Sequence, residues 1–397
     1  MDPVLNPFRP GAGRRPPALA GRDAVLTAFD VVVRRSEELG EGDRGWILNG
    51  LRGVGKTVLL NELLRRAGER DWITAKVESG AGESLSVALS QALVRGIRTA
   101  TGRHPESRLR RLLGVFKAFS LKADATGIVS LGVEVDPIRG VADSGRFADD
   151  LAALFEVMGE TARDLGIGVL ILVDELQEAD PGDLASINTA LHYLGQGETP
   201  LPLMLVGAGL PSLPAQLADA TSYAERLYDY RPVGLLDPDA AINALTIPTR
   251  ALGVDWDDAA LATAADVAGG YPYFLQAIGK HVWDNAISSP ISADDVRVGL
   301  HAARREVDDG LYRSRWERAT PAQRDLLRAL ADLAGDATAT VSALAAQMQK
   351  SRASDLSVAR NELIKKGLVY APERGVLAFT VPGMHEFVLR QDGQETN

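Results

Sequence analysis

The chain has 397 residues, of which 46% are hydrophobic and 24% charged, a composition typical of globular proteins and a length that exceeds one ordinary hydrophobic core. It contains no cysteine, which excludes disulfides, thiol catalysis and cysteine-ligated zinc. Its formal net charge of −10 excludes a surface that binds nucleic acid throughout, so any such contact requires a local basic patch.

The first 20 residues are rich in proline and glycine, and this predicts an extended N-terminal arm over residues 1–20. The beginning of the chain lacks the basic and apolar parts of a signal peptide, and no run approaches the roughly 20 apolar residues of a membrane helix. We therefore expect a cytoplasmic protein with no membrane contact. An amphipathic helix is predicted from Gly21-Arg22-Asp23 to about Gly40.

The segment Gly50–Thr57 fits the phosphate-binding pattern G-x-x-x-x-G-K-[ST]. It follows a short apolar run that predicts a strand and precedes an apolar-periodic run that predicts a helix, whose N-terminus would face the anion. Lys56 can reach the β- and γ-phosphates of ATP or ADP, and the Thr57 hydroxyl can bind Mg²⁺. The predicted nucleotide-binding residues are Gly50, Arg52, Gly53, Val54, Gly55, Lys56, Thr57 and Val58. The alternative is a glycine-rich turn that binds nothing.

A basic insertion is predicted at about residues 95–140, after a strand at 72–77 and a helix from Leu85. Arginines and lysines accumulate there, and two alternating runs, 116–121 and 128–135, predict a β-hairpin. This hairpin is either a solvated edge or a contact surface for nucleic acid or a neighbouring subunit.

A helix predicted from Phe147 leads to the continuous apolar run 168–173, which predicts a central parallel strand. Asp174 and Glu175 follow it directly, as in the Walker B element of P-loop proteins. Asp174 would hold Mg²⁺ and Glu175 would polarise the attacking water, with helix capping as the alternative for either acid. Further strands are predicted at 203–207 and, at a sheet edge, 231–235.

Strands that alternate with helices predict an α/β fold with a parallel sheet covered on both faces and nucleotide at the carboxyl ends of its strands. The predicted nucleotide-binding domain spans 21–236, and a helical lid domain spans 237–312. Residues 313–397 predict a winged helix, because helices at about 321–334, 341–348 and 352–366 precede a hairpin. Candidate DNA-binding residues near its third helix and wing are Lys350, Arg352, Arg360 and Arg374.

These motifs resemble those of AAA+ ATPases of the initiator type, the origin-recognition and archaeal ATPase relatives, and of the neighbouring STAND-type switch ATPases. The resemblance runs from Gly21 to about Arg390. It implies that Arg22 helps to form the adenine pocket and that Arg226 reaches the γ-phosphate of a neighbouring subunit. It also implies that Pro272 packs near the nucleotide and that His385 senses the β-phosphate. The last three residues each have an alternative. Arg226 could be a surface arginine paired with the adjacent Glu225, Pro272 a proline in a first helical turn, and His385 a surface histidine.

Two departures from the family are visible: the strand at 203–207 is not followed by a polar residue that senses γ-phosphate, and the lid helix after Pro272 has no arginine in its first turns. A slow ATPase that acts as a switch follows from this, with Glu175, Lys56 and Arg226 as the catalytic residues. The expected partners are adenine nucleotide with Mg²⁺, DNA through the winged helix, and further copies of the chain on ATP binding. One alternative is a regulatory ATPase whose winged helix is an autoinhibitory or protein-partner module; another is a structural protein with an inactive P-loop.

Overall fold

A computed structural model of the chain describes residues 1–80, 84–104, 106–123 and 136–392. The contacts divide the chain into two units. The sheet unit comprises Ala24–Asn49 and Lys56–Pro232, and the C-terminal unit comprises Met1–Asp23, Gly50–Gly55 and Val233–Asn397. Within the described ranges, no helix combines the length and the apolar character that a membrane span requires.

The sheet unit is built on five parallel strands in the order β2-β3-β4-β1-β5. The strands are β1 (Gly45–Asn49), β2 (Ile73–Glu78), β3 (Val169–Asp174), β4 (Leu203–Gly209) and β5 (Tyr228–Pro232). Every residue of β3 and β4 is buried, as expected for central parallel strands. The predicted α/β class with a parallel sheet is confirmed.

The helices that accompany these strands are α1 (Asp23–Leu39), α2 (Lys56–Gly68), α3 (Leu85–Thr101), α4 (Glu106–Ala123), α5 (Phe147–Leu165), α6 (Pro181–Leu194), α7 (Leu213–Ala220) and α8 (Ala224–Leu227). A 3-10 turn, Leu176–Glu178, follows the end of β3.

The first strand of the predicted basic hairpin was wrong, because residues 116–121 lie in α4. Phe116 and Phe119 are both buried, with their ring centroids 5.9 Å apart, and a spacing of three residues brings side chains together on a helix and not on a strand. The second run of that hairpin, 128–135, lies outside the described residues.

The edge strand β5 begins earlier than the predicted run 231–235. Tyr228, its first residue, is buried and pairs with Gly45, whereas Pro232 is its last residue and pairs with Asn49. Proline has no backbone N–H to donate to a neighbouring strand, so it is tolerated at the end of an edge strand. The strand ends at this residue.

The C-terminal unit is mostly helical. Its helices are α9 (Pro238–Arg250), α10 (Asp258–Ala268), α11 (Pro272–Asn285), α12 (Ala293–Val307), α13 (Ser314–Glu317), α14 (Pro321–Ala334), α15 (Val341–Gln347), α16 (Ser357–Lys365) and α17 (Met384–Asp392). Short turns of other helix types are Pro3–Leu5, Asp308–Arg313 and Ala353–Leu356. Three short antiparallel strands, in the order β6-β8-β7, are β6 (Ala339–Thr340), β7 (Val369–Tyr370) and β8 (Val376–Phe379).

Local capping explains where two of these helices begin. The Asp237 carboxylate accepts the backbone N–H of Ala240 at 2.8 Å at the start of α9. Thr320 and Gln323 form the predicted capping box at the start of α14. Each cap satisfies a backbone donor that the first helical turn would otherwise leave unpaired.

The predicted N-terminal arm packs against α11. Phe8 is buried at 3% exposure, and a Cβ added at Gly279 would lie 2.5 Å from its ring. Trp283 donates its indole N–H to the Asp2 carbonyl at 2.9 Å, and the Asn6 amide donates to the Lys280 carbonyl at 2.9 Å. The arm is therefore held by both apolar burial and hydrogen bonds.

Candidate functional site

The two phosphate-site motifs follow strands that end at the same edge of the sheet. Asn49 at the end of β1 pairs with Gly209 of β4, and Val173 of β3 pairs with Gly207 of the same strand. Because all three strands are parallel, their carboxyl ends lie together, with β1 and β3 about 10 Å apart across β4. Asp174 thus lies one strand away from the end of β1.

The residues of the P-loop have the backbone conformations that a phosphate cradle requires. Gly53 and Gly55 adopt φ values of 80° and 99°, a region that side chains with a Cβ rarely occupy. Lys56 begins α2 and is 6% exposed. Thr57 follows in the first turn of the same helix, where backbone N–H groups and the helix dipole favour an anion.

Asp174 ends β3 and Glu175 follows it, and the two acids differ in burial and in backbone conformation. Asp174 is buried at 4% exposure, and one carboxylate oxygen accepts the Glu175 N–H at 3.0 Å. Glu175 adopts the left-handed conformation, with φ 49° and ψ 38°, and is half-buried. Left-handed backbone in a residue other than glycine is unfavourable and clusters at functional sites.

Gln177 is a residue of this site that the sequence did not predict. Its amide nitrogen donates to a Glu175 carboxylate oxygen at 2.6 Å, and its amide oxygen accepts the Leu210 N–H at 3.1 Å. A Cβ at Gly209 would lie 2.6 Å from that amide oxygen, so the absence of a side chain there permits the contact. The turn after β3 thus places a polar side chain against the end of β4.

The oxygens at the sheet edge suit a magnesium ion that is shared with a nucleotide. The Thr57 hydroxyl and the Asp174 carboxylate are hard oxygen ligands, which Mg²⁺ prefers. Two protein ligands leave the remaining octahedral positions to water and to phosphate oxygens, as in other phosphate-bound Mg²⁺ sites. The donor set therefore fits Mg²⁺ bound together with a nucleotide.

Arg22 holds the P-loop backbone within the C-terminal unit. One of its guanidinium nitrogens donates to the Val54 carbonyl at 2.9 Å and to the Gly234 carbonyl at 2.7 Å. Burial lowers the pKa of Arg22, and the nearby Asp237 opposes that shift. The predicted role of Arg22 in an adenine pocket is untested and stays a prediction; its visible contact is with the loop.

The rest of the C-terminal unit also contacts the loop. The Arg52 N–H donates to the Thr380 carbonyl at 2.8 Å, and a Cβ at Gly53 would lie 2.1 Å from the Tyr271 hydroxyl. Pro272 occupies the first turn of α11, directly after Tyr271. The sequence predicted that Pro272 of this segment packs near the nucleotide. The contact with the loop that the structure shows is made by the side chain of Tyr271.

Arg226 and His385, two further predicted site residues, have distinct surroundings. Arg226 is exposed in α8 and lines a cavity of about 510 Å³ in the sheet unit, together with Arg35, Arg44 and Tyr223. His385 lies at the start of α17 and its Nδ1 is 2.8 Å from the Asp336 carboxylate. Their roles toward nucleotide stay predictions.

The candidate DNA-binding residues surround α16 and the strands that follow it. Lys350, Arg352 and Arg374 are exposed, and Arg360 is half-buried with its guanidinium 3.0 Å from the Asn361 side-chain oxygen.

Two family models match separate parts of the chain. Residues 18–206 match the family described as AAA ATPase domain, and residues 309–388 match a domain of unknown function, DUF8462. No curated protein sequence matches significantly.

Two archaeal structures share the fold over nearly the whole chain. The Walker-type ATPase PABY2304 of Pyrococcus abyssi is 17% identical with a TM-score of 0.58, over 97% of this chain and 99% of that one. The ORC2 protein of Aeropyrum pernix, in ADPNP-ADP complexes, is 15% identical with a TM-score of 0.56, over 97% of each chain. At such identities the likeness concerns the fold alone. Residues 18–206, just under half of the chain, are therefore similar to the AAA ATPase domain, and this stretch holds both the P-loop and the strand that ends at Asp174.

Proposed function

We propose that this protein is a switch ATPase that binds Mg-ATP at the carboxyl edge of its parallel sheet and hydrolyses it slowly. The single observation that carries the proposal is the placement of Lys56 and Thr57 at the N-terminus of α2 and of Asp174 and Glu175 at the end of β3, on the same sheet edge. Backbone N–H groups of the P-loop and Lys56 bind phosphate oxygens, and Thr57 and Asp174 hold Mg²⁺.

Slow hydrolysis follows from the surroundings of Glu175. Glu175 is the group that polarises the attacking water in this proposal, because it is a half-buried carboxylate next to the Mg²⁺ ligand Asp174. The Gln177 amide already donates to one of its oxygens at 2.6 Å. A donor on the carboxylate lowers its basicity toward the water, and this slows the step.

The contact between Arg52 and Thr380 supports a switch, since it ties the P-loop to the C-terminal part of the same unit. Thr380 is buried, and its hydroxyl donates to the Gly367 carbonyl at 2.7 Å, at the end of α16. A nucleotide that changes the P-loop conformation would therefore act on the segment that positions α16. The nucleotide shifts the equilibrium between two arrangements of this segment by the difference between its binding free energies for them.

The binding and hydrolysis parts of the proposal are tested with two variants. Wild-type protein should bind MgADP and MgATP in calorimetry, and Lys56→Ala should abolish or strongly weaken both. Glu175→Gln should keep nucleotide affinity while phosphate release falls by a factor of about 10² or more. A wild-type protein with no measurable affinity for adenine nucleotides would sink the proposal.

We further propose that the C-terminal part acts through DNA. Helices α14, α15 and α16 followed by the antiparallel pair β7 and β8 have the order of a winged helix, and Lys350, Arg352, Arg360 and Arg374 lie around α16. Binding of a labelled duplex should depend on nucleotide and fall steeply with salt. The double variant Arg352→Ala/Arg374→Ala should weaken DNA binding. The control variant Arg34→Ala, at an exposed residue of α1, should not. Absence of binding at low salt with Mg-ATP removes this part of the proposal.

The acids interspersed with those bases favour a second candidate, a regulatory ATPase whose C-terminal module binds a protein partner or inhibits the ATPase. Glu362 and Glu373 are exposed, and the Asp355 carboxylate accepts the Arg352 N–H at 3.2 Å. Size measurement with ADP and with a non-hydrolysable ATP analogue, combined with the DNA-binding assay, separates the candidates, because the regulatory ATPase would change its assembly with nucleotide and bind no DNA. In that assembly Arg226 is the residue proposed to reach a neighbour's γ-phosphate, so Arg226→Ala should lower hydrolysis without changing the affinity of the monomer for nucleotide.

A further inference from the structure

A cavity of about 510 Å³ lies within the sheet unit, at the amino ends of its strands. Its wall includes Gly45 and Leu203, the first residues of β1 and β4, and Leu227, which directly precedes β5. Because the strands are parallel, this edge is opposite to the one where β1 and β3 end, about 15–20 Å away along the strands. We name it the amino-edge cavity.

The loops around the amino-edge cavity are held together by contacts of their own. Gly42, in the loop before β1, lies so close to the loop before β4 that an added Cβ would be 2.2 Å from the Leu201 carbonyl oxygen. Arg163 joins the same two loops, because its guanidinium donates to the Gly40 carbonyl at 3.1 Å and to the Pro200 carbonyl at 3.0 Å. The cavity is therefore formed before any ligand enters, as is usual for small-molecule sites.

Two arginines in the wall of this cavity are available to an anion. Arg44 and Arg226 are exposed, and neither forms an ion pair with any residue in the described parts of the chain. Arg35, which also lines the cavity, is instead paired with Glu41 at 3.3 Å. The Asp43 carboxylate in the wall accepts the backbone N–H of Arg44 at 2.8 Å. Guanidinium groups bind carboxylates through two parallel hydrogen bonds, so these two arginines fit an acidic group.

The rest of the wall is largely apolar and aromatic. Half-buried leucines, which leave part of their apolar surface uncovered, are Leu191, Leu194, Leu201 and Leu227. The Tyr223 ring stacks on His192 with centroids 4.3 Å apart, and its hydroxyl is 3.2 Å from that of Thr189, so the aromatic part of the wall is fixed. Covering apolar surface is favourable, and these side chains fit the apolar body of a ligand.

We propose that the amino-edge cavity binds a small organic carboxylate with an apolar ring, whose acidic group is bound by Arg44 and Arg226. A volume of about 510 Å³ lies within the range of about 300–1,000 Å³ that is usual for such ligands. The site goes beyond the proposed nucleotide binding and does not depend on it, because it lies at the other edge of the sheet. Arg226 serves either this ligand or, in the assembly proposed above, a neighbour's γ-phosphate, and not both at once.

The probe is 2-naphthoate, and the matched neutral probe is 2-naphthamide, which keeps the rings and lacks the charge. Equilibrium dialysis, read by naphthalene fluorescence, gives the dissociation constants for wild type, Arg44→Gln, Arg226→Gln and the double variant. The control is Arg34→Gln, because Arg34 lies beside Arg35 in the sequence but pairs with Glu38 at 3.1 Å and is not part of the cavity wall. All the replaced side chains are exposed, so each variant should melt as wild type does.

Wild type should bind 2-naphthoate about 10 times more tightly than 2-naphthamide, or better. Arg44→Gln and Arg226→Gln should each weaken 2-naphthoate binding by a factor of about 5 and leave 2-naphthamide binding unchanged. The double variant should bind the two probes equally, because it lacks both charges. Arg34→Gln should match wild type, and excess MgADP should not displace 2-naphthoate.

Several results would overturn this inference. Wild type that does not bind 2-naphthoate, or that binds the acid and the amide equally, would show that the cavity does not recognise a carboxylate. Displacement by MgADP would place the probe at the nucleotide site instead. An equal loss of binding in Arg34→Gln and in Arg44→Gln would reduce the effect to general charge attraction. None of these results affects the proposed function, which is tested by nucleotide binding and hydrolysis.

Discussion

The Gln177 amide donates a hydrogen bond of 2.6 Å to the Glu175 carboxylate, and its oxygen accepts the Leu210 N–H at 3.1 Å. Gln177 thereby joins the acid after β3 to the end of β4. The same amide nitrogen is also 3.2 Å from the Glu178 carboxylate. The arrangement fixes where the Glu175 carboxylate points.

Replacing Gln177 by leucine should raise the rate of ATP hydrolysis, by a factor of about 3 to 10 for the loss of one hydrogen bond to the carboxylate. The physical reason is that a Glu175 carboxylate without this donor is a stronger base toward the attacking water. Phosphate release under single-turnover conditions measures the effect. The double variant with Glu175→Gln serves as the control and should not hydrolyse ATP; an unchanged or lower rate in Gln177→Leu would contradict the assignment.

Gly209 should not tolerate alanine. An added Cβ would lie 2.6 Å from the Gln177 amide oxygen and 2.7 Å from Cδ2 of Leu213, which is buried. Overpacking of this kind lowers the free energy of unfolding by about 1–3 kcal/mol. Urea denaturation should show the loss in Gly209→Ala and none in Gly182→Ala, because a Cβ at Gly182 meets nothing within 4 Å. Equal midpoints for the two variants would argue against the packing described here.

Loss of Arg22 should loosen the P-loop. Its guanidinium bridges the Val54 and Gly234 carbonyls, and removing a charged donor from two acceptors costs about 1.5–3 kcal/mol per hydrogen bond. Arg22→Ala should therefore lower the melting temperature and weaken MgADP binding. Arg22→Lys should recover only part of both, because an ammonium group is more strongly hydrated than a guanidinium and loses more on burial. The exposed Arg34→Ala is the control, and an Arg22→Lys variant equal to wild type would show that charge alone suffices.

Alkaline pH should destabilise the protein through Tyr228. This side chain is buried, its hydroxyl donates to the Asn188 side-chain oxygen at 2.8 Å, and burial raises the pKa of Tyr228 far above its usual range. The unfolded chain releases the tyrosine proton near pH 10, whereas the folded chain retains it. Stability from this group is therefore constant below about pH 10 and falls as the pH rises further, by up to about 1.4 kcal/mol per pH unit.

The variant Tyr228→Phe makes this dependence testable. It should be less stable than wild type by about 1 kcal/mol at pH 7.5, because it loses the hydrogen bond to Asn188. Its urea midpoint should then fall less steeply than that of wild type between pH 9.5 and 11. Parallel declines of the two proteins would show that another group controls alkaline unfolding.

Local sequence patterns determined the α/β class and the two phosphate-site motifs. The P-loop glycines and Lys56 are recognisable because backbone conformation and charge at fixed spacing are properties of a few consecutive residues. The same holds for the apolar strand before Asp174 and for the capping box at Thr320. The run 116–121 misled because six residues are too few to fix a period of two, whereas the three-residue spacing of Phe116 and Phe119 fits the helix α4.

Only the tertiary structure decided what surrounds those motifs. Gln177 reaches Leu210 because β3 and β4 are neighbours in the sheet, and no local spacing encodes that pairing. Tyr271 and Thr380 come from separate segments of the C-terminal unit, and their contacts with the P-loop residues Gly53 and Arg52 depend on how those segments pack. A motif specifies a site through neighbouring residues, whereas the partners of that site come from contacts between residues distant in sequence.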